Sequence, residues 1–289
     1  MCKSNISVKK FLKLYLQVTF YSLVISLTFN LWGGEDYTVK DWVLLMLPFR
    51  EIESDNFVHA FMIWWLFIPF FNILIKGMDW KTHKQLILLL VIVFTILPIL
   101  PDSIYRISIN PLCWYSVIYF IASFIQKYPD QIYESSSAKV WGIITLVCLV
   151  LDVLSVFGFI VLSQEMNRFI SPYKFMADSN APLALVTAVA SFMFFKNLKI
   201  KYSPIINAIG STTFGILLIH SNCEAIRRWL WTDVFDCSGH YDTQYYWLYA
   251  SSGILIVYFA CSFIEFVRIK TVERWTMRWI EKKYFKDER

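Results

Sequence analysis

The stretch KVWGIITLVCLVLDVLSVFGFIVL (139–162) decides the fold. Apart from Lys139 at its head and Asp152 near its middle, no side chain in it is charged, and most are aliphatic or aromatic. A helix needs about 20 such residues to cross the hydrocarbon core of a bilayer. A helix apolar on every face belongs inside a large core or inside lipid. Asp152 sets a condition on this reading. A carboxylate at that depth is either protonated or paired with another helix, and structural pairing is the expectation.

Working outward, seven further stretches read the same way: 11–31, 57–75, 85–100, 111–126, 181–195, 205–222 and 247–267. The expected fold class is all-α, a polytopic transmembrane helix bundle of about eight spans. Composition agrees. Of 289 residues, 57% are hydrophobic and 17% charged, against about a quarter charged in a soluble domain, and the mean hydropathy is +0.51. Polar side chains are too few to cover a water-exposed globule. Aromatics reach 18%, as expected where Trp and Tyr sit at the headgroup level. The first stretch contains Lys13 and Gln17 and lacks a small-residue cleavage site, so it reads as an uncleaved span.

Charge orients the bundle. With the N-terminus in the cytoplasm and eight alternating spans, only Lys40, Arg50, Arg106, Arg168, Lys174, Arg227 and Arg228 of the 27 Lys and Arg fall outside. That is a strong positive-inside bias, and it places both termini in the cytoplasm. The outer segment 32–56 is acidic, with Glu35, Asp36, Asp41, Glu51, Glu53 and Asp55. Within it, VKDWVLLML (39–47) is too short to span and reads as an interfacial helix with Asp41 near its start. The tail TVERWTMRWIEKKYFK (271–286) sets Trp275 and Trp279 four residues apart among basic residues. It reads as an interfacial helix on the inner leaflet. The organisation expected is therefore a membrane domain, 1–267, and then a basic amphipathic tail, 268–289.

Few residues advertise chemistry. Neither a nucleophile elbow, a Walker loop nor an HExxH motif is present, and no CxxC or His–Cys cluster suggests a metal. Cys113, Cys148 and Cys261 fall in spans as small apolar residues. Cys223 and Cys237, 14 residues apart in the last outer loop, can form a disulfide on an oxidising side. His59 opens the second span and His220 closes the seventh, both near the outer face. Each is either a packing residue or a functional group at membrane depth.

Several phrases in order carry a resemblance. They are KKFLKLYLQ (9–17), FVHAFMIWWLFIPFFNILI (57–75) with its Pro69-x-x-Asn72 ending, PLCWYSVIYFIASFIQKY (111–128), and FFKNLKIKYSPIINAIGSTTFGILLIH (194–220). The last closes on G-[ST]-x-[ST]-F-G-x-x-L-I-H. Over nearly the whole chain this set resembles the acyltransferase-3 family, multi-span bacterial membrane O-acyltransferases that decorate cell-surface glycans. The resemblance implies acetyl-CoA, or another acyl-CoA, as cytoplasmic donor and a glycan hydroxyl as acceptor. It implies no bound cofactor and a place in the bacterial inner membrane. Lys10 and Lys13 stand where the family has an R-x-x-R pair and share a helix face, so they are the expected contacts for the CoA phosphates, although Lys is a weaker bidentate partner than Arg. His220 matches a later family His with an expected supporting role on the acceptor side.

The family's catalytic His, carried on spans ahead of the basic pair, has no counterpart here. The sequence-level expectation is a truncated reading frame; the competing readings are missing spans supplied by a separate chain, or a decayed relative. Two further functions compete with acyl transfer: a non-catalytic membrane scaffold or partner subunit, and a small-solute transporter.

Overall fold

Ser7 starts the first helix, its hydroxyl accepting from the Lys10 amide at 3.4 Å, as N-cap serines do for the orphan donors of a first turn. The structure is a computed structural model that describes residues 7–33, 36–47, 57–100, 110–129, 137–221 and 223–284. Arg50, Glu51, Glu53, Asp55 and Arg106 of the outer segments, Glu35, and the terminal Lys3, Lys286 and Arg289 lie outside the described residues.

Twelve α-helices are described, and no strand: α1 (Val8–Leu31), α2 (Val39–Leu45), α3 (Phe57–Trp65), α4 (Ile68–Gly77), α5 (Trp80–Val91), α6 (Pro111–Lys127), α7 (Ala138–Glu165), α8 (Pro182–Asn197), α9 (Pro204–Ser221), α10 (Glu224–Arg228), α11 (Tyr246–Arg268) and α12 (Arg274–Tyr284). Short π-helical turns succeed α5 at Ile92–Ile96, α10 at Trp229–Val234 and α11 at Ile269–Glu273.

The membrane reading holds in its coarse form. Among the described residues, five helical stretches are long and apolar enough to cross a bilayer: Val8–Leu31, Trp80–Ile99, Ala138–Glu165, Pro204–Ser221 and Tyr246–Tyr284. Six result if α3 and α4 count as one. The expected continuous span at 57–75 is broken at Leu66–Phe67, and Pro69 lies in the first turn of α4. Proline needs no amide partner there and cannot continue a preceding helix. The stretch expected at 181–195 is the 16-residue helix α8. The tail helix α12 follows α11 through the π turn, and together they make one helical run of 39 residues, Tyr246–Tyr284.

Two compact units divide the described chain, one holding residues 64–201 and the other 6–63 and 202–289. In the first unit, α7 packs along α8. Leu146, Val147, Val153, Leu154 and Phe157 stand roughly half or more exposed along one 28-residue helix. Water would not tolerate that apolar surface, whereas lipid does. Asp152 is buried and its Oδ2 accepts from the Thr187 hydroxyl at 3.0 Å, so the mid-span carboxylate is paired to another helix as expected. A second polar knot joins α4, α5 and α6. His83, fully buried, donates from Nε2 to the Phe120 carbonyl at 3.1 Å. Lys127 donates to the Ile75 and Met78 carbonyls at the end of α4, both at 2.6 Å. Tyr119 donates to Asn72 Oδ1 at 2.7 Å. Asp79 caps α5; the hydroxyl and amide of Thr82 hold its carboxyl below the usual carboxylate range.

In the second unit, α1 buries Val18, Tyr21, Ile25 and Phe29 against Leu218 of α9 and Val58 and Met62 of α3. Lipid tails are as apolar as these side chains, so close packing rather than water exclusion must hold helices together. Ser22 and Ser26, both buried on α1, keep the approach close. Thr38 and Asp41 form a reciprocal capping box at the start of α2, and Tyr15 ties that segment to α1 through the Met46 carbonyl at 2.7 Å.

Thr187→Val strips the only described donor from Asp152. The expected cost is about 1–3 kcal/mol, read as a lower midpoint in thermal unfolding of the detergent-purified protein. An unchanged midpoint contradicts structural pairing.

Candidate functional site

Glu265 lies near the end of α11 with no exposed surface. Lipid and protein surround it, so its oxygens need donors from the chain itself. Oε1 accepts from Gln17 Nε2 at 2.9 Å and Arg268 Nη2 at 2.8 Å, and Oε2 accepts from the Tyr21 hydroxyl at 2.6 Å and Arg268 Nε at 2.7 Å. The Arg268 fork is bidentate, the strongest of such pairings. Arg268 Nη2 also donates to Glu273 Oε2 at 2.7 Å, and Glu273 Oε1 pairs with Lys13 at 2.6 Å. Lys9 and Glu281 extend the ladder outward.

Local geometry explains why these groups meet. Residues five apart on an α-helix point roughly 140° apart. The π turn at Ile269–Glu273 changes that register, since its bonds span five residues, and Glu273 comes round to Arg268. On α1 the polar groups Lys9, Lys13, Gln17 and Tyr21 recur every four residues and so share a face. Their carboxylate partners, Glu281, Glu273 and Glu265, recur every eight. The two runs are antiparallel, and the tail side advances twice as fast, so it crosses α1 obliquely.

A third helix closes over Glu265. Thr212 of α9 bonds Ser262 of α11 at 3.0 Å, and Ile216 packs on Val257 and Cys261. A β-carbon on Gly215 would lie 2.3 Å from both Cγ and Cδ of Glu265. Only glycine fits there, which gives the Gly within the 210–220 phrase a packing reason.

Beside the network an apolar groove of about 230 Å³ opens between α1 and the helix beyond Arg268. Leu16, Phe20 and Leu23 form one wall, Val272 and Met277 the other, and Lys13 with Glu273 stands at its polar end.

The residues singled out from sequence divide. Lys13 borders the groove, but its ammonium is engaged by Glu273; Lys10 is exposed, and its amide caps to Ser7. Both histidines belong to the second unit. His59 is buried in α3 beside Val58 of the core. His220 is half-buried at the end of α9, with Nδ1 2.6 Å from the Ile216 carbonyl. A carbonyl can only accept, so Nδ1 carries the proton, and in the neutral ring Nε2 keeps the lone pair. Asn72 and Pro69 belong to the first unit, where Asn72 is a packing acceptor for Tyr119. Cys223 and Cys237, a candidate disulfide by sequence, lie at the start of α10 and beyond the π turn that follows it. Cys223 caps α10 and packs on the core around α1, whereas the π turn before Cys237 holds its amide on the Trp231 carbonyl at 3.1 Å. Glu265 and Arg268 are missed from sequence alone, because Arg268 reads there as one more tail charge. The signal is an E-x-x-R pair closing an apolar span.

No protein-family model, curated protein or solved structure matches the chain.

Glu265→Gln should cost about 3–5 kcal/mol by leaving Arg268 with a broken buried pair, and Glu265→Gln with Arg268→Met should recover part of it. Gly215→Ala should cost about 1–3 kcal/mol by overpacking. Thermal unfolding in detergent reads all three. Equal midpoints for the wild type and Glu265→Gln overturn the network's structural role.

Proposed function

We propose that the chain is a membrane O-acyltransferase, of O-acetyltransferase type, that moves an acyl group from cytoplasmic acyl-CoA to a hydroxyl of a cell-surface glycan. It sits in the bacterial inner membrane with eight spans and both termini in the cytoplasm. In this topology the segment 39–47 and the tail around Trp275 and Trp279 lie in the two interfaces. His220 carries the reading. It ends the phrase that most resembles the acyltransferase-3 family, and its Nδ1–H bond to Ile216 leaves Nε2 as the proton acceptor.

The chemistry asks for such a group, since a sugar hydroxyl is a poor nucleophile at neutral pH. His220 Nε2 takes the hydroxyl proton as the oxygen attacks the thioester carbonyl. The C–S bond then breaks, and the CoA sulfur leaves with a proton. The basic start of α1, with Lys10 and Lys13, faces the donor compartment in this topology. Its charges suit the CoA phosphates.

A second reading, a non-catalytic partner subunit, draws on one observation: Lys13 is already paired with Glu273.

The test compares the O-acyl content of the surface polysaccharide in the native host with the gene intact, deleted, or carrying His220→Gln. Deletion should abolish the modification. His220→Gln should lower its rate by roughly 10²–10⁴-fold, the usual contribution of a general base. Unchanged acylation on deletion would falsify the proposal in favour of the partner-subunit reading.

A further inference from the structure

The groove along α1 has the dimensions and charge of a lipid site. Lys13 and Leu23 mark its two ends on α1. Ten residues of helix separate them, about 15 Å at the α-helical rise. That equals half of the roughly 30 Å hydrocarbon core, the depth of one leaflet. The walls in between are mostly apolar: Leu16, Phe20 and Leu23 on one side and Val272 and Met277 on the other, with Thr19, Thr276 and the paired Arg268 among them.

The mouth is cationic. Residues 8–23 and 265–284 hold nine Lys and Arg against three Glu, a surplus of six, whereas the whole chain nets +5. The remainder of the protein is therefore slightly acidic, and the positive excess lies on the two segments that form this groove, whose own lining includes Lys13, Arg268 and Glu273. Three of the cations are engaged by the glutamates, through Lys9–Glu281, Lys13–Glu273 and Arg268–Glu265. Lys10, Arg274 and Arg278 are exposed. Lys13 keeps donor capacity, because an ammonium has three N–H groups and its side chain is 50% exposed. Exposed Trp275 and Trp279 stand on the same tail helix, as aromatic residues do at headgroup level.

We propose that the groove between α1 and the helix Arg268–Met277 binds one anionic phospholipid of the inner leaflet, an acyl chain lying along Leu16–Leu23 and the phosphate at Lys13 and Lys10. The groove exists because the tail helix crosses α1 obliquely, and a flexible chain fills such a wedge where a straight helix cannot. An apolar floor one leaflet deep beneath a basic mouth matches an anionic amphiphile. The inference goes beyond acyl transfer and competes with it for Lys10 and Lys13, which hold either a lipid phosphate or the CoA phosphates, so displacement by an acyl-CoA decides between the two.

Native mass spectrometry of the detergent-purified full chain, incubated with equal phosphatidylglycerol and phosphatidylcholine, tests it. One phosphatidylglycerol should be retained in preference. Lys10→Gln should lower that preference by about fivefold, the usual effect of one cation at an anionic surface. Thr19→Trp, which fills the groove, should abolish retention, while Leu149→Trp on the lipid-facing side of α7 should not. In the wild type, phosphatidylglycerol with a diazirine in its chain should label peptides from Leu16–Leu23 and Val272–Met277. That readout does not depend on whether Thr19→Trp folds. Equal retention of the two lipids, labelling spread over the other spans, or displacement of the bound lipid by oleoyl-CoA would each overturn the proposal. None of these readouts involves acyl transfer, so its failure and the failure of the enzymatic reading remain separable.

Discussion

A carboxylate with no exposed surface, at the end of an apolar helix, must find its donors within the protein. Glu265 finds four, from Gln17, Tyr21 and both arms of Arg268. That requirement organises the second unit. It fixes the rotation of α1, because Gln17 and Tyr21 must face α11. It demands a glycine at 215, because a side chain there would occupy the volume of Glu265. It ties the end of α11 to the tail helix, because Arg268 needs Glu273 and reaches it only across a π turn. Helices in lipid gain little from apolar contact alone. A satisfied ion pair is therefore a strong device for specifying which faces meet, since most wrong rotations would strand it.

The first unit meets the same constraint with weaker means. Asp152 has one hydroxyl donor and no cation among its described partners. His83 rests on a backbone carbonyl among the rings of Phe120, Phe124 and Tyr128. Lys127 spends its charge on the open carbonyls at the end of α4, where helices leave acceptors unsatisfied. Each buried polar group closes a helix junction. In the second unit, by contrast, the buried Arg268 also lines a groove.

Hydropathy makes the long helices legible. Residues 139–162 and 247–267 lie within observed helices to within a few residues of their ends, and the mid-span Asp152 is paired with a neighbouring helix as its depth requires. The break at Leu66–Phe67 is hidden, because a run of apolar residues reads alike whether it is one helix or two; Pro69 is the clue, since a proline in a first turn marks a start. The continuity of α11 with the tail is hidden too. Charge reads as the end of the span, yet Arg268 and Glu273 are internal partners. The four-residue recurrence of Lys9, Lys13, Gln17 and Tyr21 is visible in the sequence. Its meaning is not, because the eight-residue recurrence of Glu265, Glu273 and Glu281 matters only once two helices cross.

That crossing links the packing of the second unit to its chemistry. The same obliquity that lets one face of α1 satisfy three glutamates leaves a wedge open below Lys13. Helix α9 has a double task of the same kind. Gly215 gives way to Glu265, and five residues later His220 turns its Nδ1 proton inward to Ile216 and keeps Nε2 for another partner. Because α9 runs antiparallel to α11, and α1 does as well, the basic start of α1 and the histidine at the end of α9 fall toward opposite ends of one unit. Any shift of α9 along α11 would move His220 and press Gly215 against Glu265 at once, so the buried ion pair sets the depth at which the histidine sits.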